Sequence, residues 1–149
     1  MAYLVDLSIL ARLANLADTQ FGVTALAVVE LHRQGEQLYV TPGVLMKYRK
    51  IATRGLAQNG LGLSAVDADA QTATFEATFT LAADRPEIYT RWKSIVTELG
   101  LTGRQVDDAL LVAVCHVHRI SHLLTINVTH FKTFLSLAPG LTVVDPTGI

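Results

Sequence analysis

Short apolar segments alternate with longer amphipathic segments along almost the whole chain. Residues typical of short buried strands occupy five segments: 2–5, 37–40, 79–82, 122–126 and 141–144. The periodicity between them predicts helices over 8–15, 21–34, 42–54, 65–78, 87–99 and 104–118, with a helical turn over 128–134. Local signals agree with these bounds, because Thr41-Pro42 and Ser64 are typical helix starts and Gly55 and Gly100 typical helix ends.

Two details of the helices can be tested against a structure. Ser8 is expected to cap the first helix. In the second helix, Leu26 and Val29 are expected on the apolar face, with His32 and Arg33 on the polar back.

Strands that alternate with helices favour an α/β fold in which a mostly parallel sheet is covered on both faces. We therefore predict a three-layer α/β/α sandwich formed by one domain over residues 1–149. Half of the residues are hydrophobic and 17% are charged, which excludes a disordered chain.

Charge and cysteine content restrict the function classes. A net charge of −1 argues against a wide basic surface for nucleic acid, although a small nuclease cleft stays compatible with it. The single cysteine, Cys115, lies in the most apolar predicted helix and fits a reducing compartment. The longest apolar run, Ala109 to Cys115, is too short to cross a bilayer, and Asp6 interrupts any signal sequence early. We expect a cytoplasmic protein with no membrane partner.

Polar residues stand at the ends of apolar elements that are far apart in the sequence. Asp6 closes the first strand, Asp108 lies near the start of a nearly all-apolar helix, and Asn127 closes a later strand. Ligands of open α/β sheets bind outside the carboxyl ends of the parallel strands, so these residues predict a common site. Asp107, in the same first turn, is explained by the helix dipole alone.

Basic residues cluster beside this predicted site. Lys47, Lys50 and Arg54 follow one another at positions i, i+3 and i+7 and therefore share one helical face, to which Arg49 adds a further charge. These four residues form a basic ridge. The ridge either binds an RNA backbone or is a solvated helix face, and both interpretations stay open. Arg104 is a further candidate for a phosphate contact.

The order of four motifs is informative. A strand ends in Asp6; Thr41-Pro42 begins a helix that ends in Ala-Thr-Arg; Gly103 begins the run Gly-Arg-Gln-Val-Asp-Asp-Ala-Leu-Leu-Val-Ala; and Leu-Leu-Thr-Ile-Asn precedes Phe131. In this order the chain resembles the PIN domain, especially the toxin ribonucleases of bacterial VapBC toxin–antitoxin modules. The resemblance covers almost the whole chain, including the closing Thr-Val-Val-Asp-Pro.

The resemblance implies a divalent-metal site and two partners. Members of the family place four acidic residues around one or two ions, usually Mg²⁺ or Mn²⁺, and the first and third acidic positions fall on Asp6 and Asp108. Ser8 and Asn127 match polar supporting positions, whereas Lys47 stands where Glu is usual and His130 where Asp is usual. The resemblance further implies an RNA substrate, a homodimer and a small antitoxin partner, for which Val28, Val29 and Leu31 are one candidate surface.

The two replaced acids leave three functions open. The first is metal-dependent RNA cleavage with Asp6 and Asp108 as metal ligands. The second is an inactive PIN domain that binds RNA or a protein, with Lys47 as the built-in counter-ion of Asp6 and Asp108. The third is metal-free cleavage with His130 as the base and Lys47 as an electrostatic stabiliser.

Overall fold

The computed structural model describes residues 1–149 and contains one five-stranded parallel sheet. Its strands are β1 (Ala2–Val5), β2 (Gln37–Val40), β3 (Thr80–Leu81), β4 (His122–Leu124) and β5 (Thr142–Val144). The order across the sheet is β3-β2-β1-β4-β5, and every neighbouring pair is parallel. The predicted α/β class with a parallel sheet is confirmed, and β1 lies at its centre.

Six α-helices connect and cover the strands. They are α1 (Leu7–Leu13), α2 (Phe21–Arg33), α3 (Pro42–Thr53), α4 (Ala65–Thr78), α5 (Pro86–Leu99) and α6 (Arg104–His118). The chain also contains three 3₁₀ segments, at Leu56–Gln58, Val128–Phe134 and Pro146–Gly148. The chain runs from β1 through β2 to β3 in one direction across the sheet and crosses back from β3 to β4. Because crossovers between parallel strands are right-handed, α1 to α4 lie on one face of the sheet and α5 and α6 on the other. The helix packing agrees, since α3 contacts α1 and α4, whereas α5 contacts α6.

The predicted cap residues explain where the helices begin and end. Thr41 Oγ1 accepts a hydrogen bond from Val44 N at 3.0 Å, and Ser64 Oγ accepts one from Asp67 N at 3.1 Å. Gly100 ends α5 with a φ of 62°, a left-handed conformation that glycine adopts without strain.

The burial of α2 differs from the prediction. Leu26 and Val29 are 71% and 64% exposed, and the buried side is formed by Thr24, Ala27, Val28 and Leu31. Because α2 is apolar over most of its circumference, the sequence pattern does not fix which side faces the core. Val28 and Leu31 are therefore wrong as members of an exposed partner surface, and of that candidate set only Val29 is accessible.

The core is one cluster of 30 buried residues that packs between the sheet and the helices. The central strands contribute fully buried side chains, among them Leu4, Val5, Leu123 and Leu124. None of the helices combines the length and the apolar character that crossing a membrane requires.

Candidate active site

A cavity of about 470 Å³ opens at the carboxyl end of the central strands. Asp6 follows the last residue of β1, Asn127 follows β4 by three residues, and Asp108 is the fifth residue of α6. All three line the cavity. It lies between β1 and β4, whose following connections run to opposite sides of the sheet, and α/β sheets bind ligands at such a position.

Two hydroxyl groups hold the buried Asp6 carboxylate. Ser8 Oγ and Thr125 Oγ1 donate hydrogen bonds to Asp6 Oδ2 at 3.0 Å and 2.7 Å. The same hydroxyls accept hydrogen bonds from Ile126 N at 3.1 Å and Asn127 N at 3.0 Å. Charge-assisted hydrogen bonds of this kind are stronger than neutral ones, so they fix the orientation of the carboxylate.

The structure corrects one prediction about this network and adds a residue to it. Helix α1 begins at Leu7 with Asp6 as its N-cap, so Ser8 does not cap the helix and turns its hydroxyl to Asp6 instead. Thr125 is fully buried and was not among the predicted site residues. Its signal was the Thr-x-Asn segment that also contains Asn127, because alternate residues at a strand end share one side.

Asp108 carries a buried carboxylate oxygen without a hydrogen-bond partner. Its side chain is 14% exposed, and the nearest cation is Arg104, whose Nε lies 3.8 Å from Asp108 Oδ2. Burial raises the pKa of Asp108, and the negative charge of Asp6 raises it further, whereas His130 and Arg104 lower it. The negative charges of Asp6 and Asp108 therefore repel each other, and a cation bound near both would relieve this repulsion.

Lys47 lines the cavity but does not neutralise these two acids. Its Nζ forms an ion pair with Asp107 Oδ1 at 3.0 Å, and it forms no ion pair with Asp6 or Asp108. The predicted role of Lys47 as counter-ion of Asp6 and Asp108 is therefore wrong in this structure. The physical reason is the position of Asp107, which is the more exposed of the two adjacent aspartates and faces α3.

Cationic side chains surround the carboxylates. Five of them line the cavity: Arg12, Lys47, Lys50, Arg54 and Arg104. They outnumber the three carboxylates Asp6, Asp107 and Asp108, so the cavity favours an anionic ligand in spite of the slightly negative net charge of the chain.

Of the predicted basic residues, only Arg49 lies elsewhere. It forms an ion pair with Asp69 of α4 and lines a different groove. Arg49 is two residues after Lys47, which corresponds to a rotation of about 200° around a helix. It therefore points away from the face that Lys47, Lys50 and Arg54 share, and its predicted place in the ridge is corrected. Arg12 was not predicted; it contacts Gln20 and the carbonyl oxygen of Ser8.

Asn127, which precedes the 3₁₀ segment after β4, and His130 within that segment complete the cavity. Both line it, and their backbones are joined by a hydrogen bond from His130 N to Asn127 O at 3.0 Å. The Asn127 side chain forms no hydrogen bond inside the protein, which leaves its amide available to a ligand. His130 forms no hydrogen bond with Asp108, and its positive charge lowers the pKa of the Asp108 carboxyl.

The donor set fits a loosely held hard cation. No group of three His, Cys, Asp or Glu residues is arranged to hold a metal ion, so an all-protein transition-metal site is not present. Mg²⁺ commonly binds through one or two carboxylates and completes its shell with water and phosphate oxygens. Asp6 and Asp108 fit that requirement, and Oδ2 of Asp108 accepts no hydrogen bond.

Comparison with known proteins gives matches by structure but not by sequence. No protein-family model and no curated protein sequence matches the chain. Among solved structures, VapBC2 from Rickettsia felis bound to a promoter DNA fragment superposes with a TM-score of 0.69 and 16% identity, over 97% of this chain and 98% of that chain.

Two further solved structures have the same architecture. A toxin–antitoxin complex from Klebsiella pneumoniae has a TM-score of 0.63 and 22% identity, over 97% of each chain. VapC20 from Mycobacterium tuberculosis, a toxin that cleaves the sarcin–ricin loop, has a TM-score of 0.63 and 15% identity, over 94% of this chain and 96% of that chain. At such low identity the likeness concerns the fold, and it shows that the chain has the PIN-like α/β fold of these toxin–antitoxin proteins.

Proposed function

We propose that the chain is a toxin-type PIN-domain ribonuclease that cleaves RNA phosphodiester bonds with the aid of Mg²⁺ or Mn²⁺, through an active site with two acids in place of four. One observation carries the proposal. Asp6 and Asp108 come from distant parts of the sequence, share one cation-lined cavity, and leave the buried Oδ2 of Asp108 without a hydrogen-bond partner. The fold it shares with solved toxin–antitoxin proteins supports the same assignment.

The polar residues at this site have distinct roles in the proposal. Asp6 and Asp108 would hold the ion, and Ser8 and Thr125 hold Asp6 in position through its Oδ2. When bound there, a divalent ion would supply an activated water and would neutralise charge on the scissile phosphate. Asn127 offers a neutral amide at the rim of the same cavity.

The cations of the cavity bind the rest of the substrate. Lys47, Lys50, Arg54 and Arg104 would contact phosphates of the RNA backbone, which is the sequence-independent part of nucleic-acid binding. His130 lines the same cavity and would be the proton acceptor of a metal-free reaction. Its role separates metal-dependent from metal-free cleavage, because only metal-free cleavage requires it.

A second function is favoured by the Lys47–Asp107 ion pair. It places an ammonium group at the mouth of the cavity, where a cation opposes the entry of a divalent ion. An inactive PIN domain that binds RNA or a protein would retain the basic cavity without cleaving its ligand. Binding without cleavage distinguishes this second function from the first.

The partners follow from the proposed class. We expect a homodimer that is inhibited by a small antitoxin protein, in keeping with the solved toxin–antitoxin complexes of the same fold. Co-expression with the product of an adjacent small open reading frame, followed by light scattering of the purified complex, measures both expectations. A monomer that does not bind this product contradicts them.

RNA cleavage tests the proposed function. The purified protein is incubated with single-stranded and structured RNA in Mg²⁺ or Mn²⁺, beside a chelated sample and the variants Asp108→Asn and His130→Ala. We expect cleavage that is lost on chelation and in Asp108→Asn. Cleavage that survives chelation but not His130→Ala indicates the metal-free reaction. Absence of cleavage from folded protein that still binds RNA indicates the binding module.

A further inference from the structure

The Lys47–Asp107 ion pair joins α3 to α6 across the cavity and is open to solvent. Its two side chains are 46% and 63% exposed, so neither belongs to the core. Exposed ion pairs are weak, because water screens both charges and the pairing restricts two flexible side chains. The pair therefore adds little to folding, and a competing anion can replace either member.

Lys47 has no alternative carboxylate partner in the cavity. Asp6 accepts hydrogen bonds from Ser8 and Thr125, and the cation nearest to Asp108 is Arg104. Asp107 is thus the only anion that the Lys47 ammonium contacts in the free protein.

The neighbours of Lys47 on the same helical face are uncommitted. Lys50 and Arg54 line the cavity and form no ion pair or side-chain hydrogen bond. A phosphodiester that binds these two cations would bring its negative charge close to Lys47. It would then compete with Asp107 for the Lys47 ammonium group. Each phosphate supplies acceptor oxygens of full anionic character, which bind an ammonium at least as well as a carboxylate does.

We propose that Lys47 is an exchangeable phosphate-binding residue, which pairs with Asp107 in the free protein and transfers to a backbone phosphate when single-stranded RNA enters the cavity. Asp107 is then an internal competitor of the substrate and weakens the binding of short or isolated anions. The inference rests on the proposed RNA substrate, but it requires neither a metal ion nor cleavage.

A double-mutant cycle in EDTA tests the exchange. The probe is a fluorescent 2′-O-methyl oligoribonucleotide, and its Kd is measured by anisotropy for wild type, Lys47→Met, Asp107→Asn and the double variant. We expect Lys47→Met to weaken binding about fivefold and Asp107→Asn to tighten it up to about fivefold, the range of one exposed ion pair. In the Lys47→Met background, Asp107→Asn should change the Kd by less than about twofold, because no lysine remains to be released.

The matched control is the same substitution beside an unpaired lysine. Asp107→Asn should tighten binding as strongly in a Lys50→Met background as in wild type, since Lys50 does not contact Asp107. The dependence of log Kd on log salt should become shallower by about 0.7 in Lys47→Met, the value for one phosphate contact on a single strand. Thermal melts verify that the exposed substitutions leave the fold intact.

Several results would overturn the inference. They are an equal effect of Asp107→Asn in the Lys47→Met and Lys50→Met backgrounds, an unchanged salt dependence in Lys47→Met, and the absence of probe binding by wild type. These outcomes are separate from the fate of the proposed function. If RNA is cleaved in Mg²⁺ but the effects of Lys47→Met and Asp107→Asn are additive, only the exchange of Lys47 is refuted. If the effects are not additive but RNA is not cleaved, only the proposed nuclease activity is refuted.

Discussion

The hydroxyl of Thr125 offers the sharpest test of how the site is built. Thr125→Val keeps the shape of the side chain and removes the group that donates to Asp6 Oδ2 at 2.7 Å and accepts from Asn127 N at 3.0 Å. Thr125 is fully buried, so water does not replace the lost partner. We expect a less stable protein in which the Asp6 carboxylate is poorly oriented.

The magnitude follows from the two bonds. A hydrogen bond to a charged group contributes about 1.5–3 kcal/mol, and the partly buried Asn127 N–H is left without its acceptor. Together they predict a loss of about 2–4 kcal/mol from an unfolding free energy of roughly 5–15 kcal/mol. With a typical urea dependence for a domain of this size, the unfolding midpoint should fall by about 1–2 M.

Thr24 provides a matched control for this experiment. It is as buried as Thr125, but its Oγ1 has no hydrogen-bond partner. Thr24→Val should therefore leave stability unchanged or raise it by up to about 1 kcal/mol, whereas Thr125→Ser should recover most of the loss. The measurement is urea unfolding followed by circular dichroism. Equal losses for Thr24→Val and Thr125→Val, or a Thr125→Val protein within about 0.5 kcal/mol of wild type, would refute the reasoning.

Three further predictions follow from the structure. Burial raises the pKa of Asp108, so its contribution to stability is complete below the ordinary aspartate pKa of 3.8 and is lost as the pH rises through the raised pKa of the folded protein. Asp108→Asn should therefore gain stability relative to wild type over that pH window, as measured by urea unfolding against pH. Burial raises the pKa of Cys115 to about 12, so iodoacetamide should alkylate it at pH 8 only after unfolding, as followed by mass spectrometry. A Cβ on Gly60 would collide with the backbone of Arg54, whereas one on Gly55 meets nothing, so Gly60→Ala should lower the melting temperature and Gly55→Ala should not.

Each of these predictions has a contrary result. A constant stability difference between Asp108→Asn and wild type across the pH window would remove the electrostatic account of Asp108. Rapid alkylation of Cys115 in the folded protein would contradict its burial. Equal melting temperatures for Gly60→Ala and Gly55→Ala would contradict the tight turn next to Arg54.

Local signals in the sequence predicted most of the fold. Thr41-Pro42, Ser64 and Gly100 act through nearby backbone groups, so their positions determine helix ends without any tertiary information. The burial of α2 could not be predicted in this way. Leu26 and Val28 are equally apolar, and only the packing of the finished core decides which of them is exposed.

The site was predictable where it depends on topology and not where it depends on side-chain contacts. The ends of parallel strands meet at one edge, which correctly placed Asp6 and Asn127 in one cavity. The pairing of Lys47 depends on which adjacent aspartate α6 turns toward α3, and Thr125 depends on the direction of one side chain at the end of β4. Residue spacing does not encode the Lys47 pairing, and for Thr125 the alternation with Asn127 indicates a shared side of the strand end but not the contact with Asp6.

Binding of Mn²⁺ in the absence of RNA tests the central claim, that Asp6 and Asp108 form a divalent-cation site, without requiring knowledge of the target RNA. Electron paramagnetic resonance titration of wild type, Asp108→Asn and Asp69→Asn measures the bound ion directly. Asp69 pairs with Arg49 outside the cavity and controls for the loss of one negative charge. The account predicts a Mn²⁺ site that Asp108→Asn abolishes and Asp69→Asn preserves. Absence of Mn²⁺ binding by wild type, or equal binding in all three proteins, would contradict it.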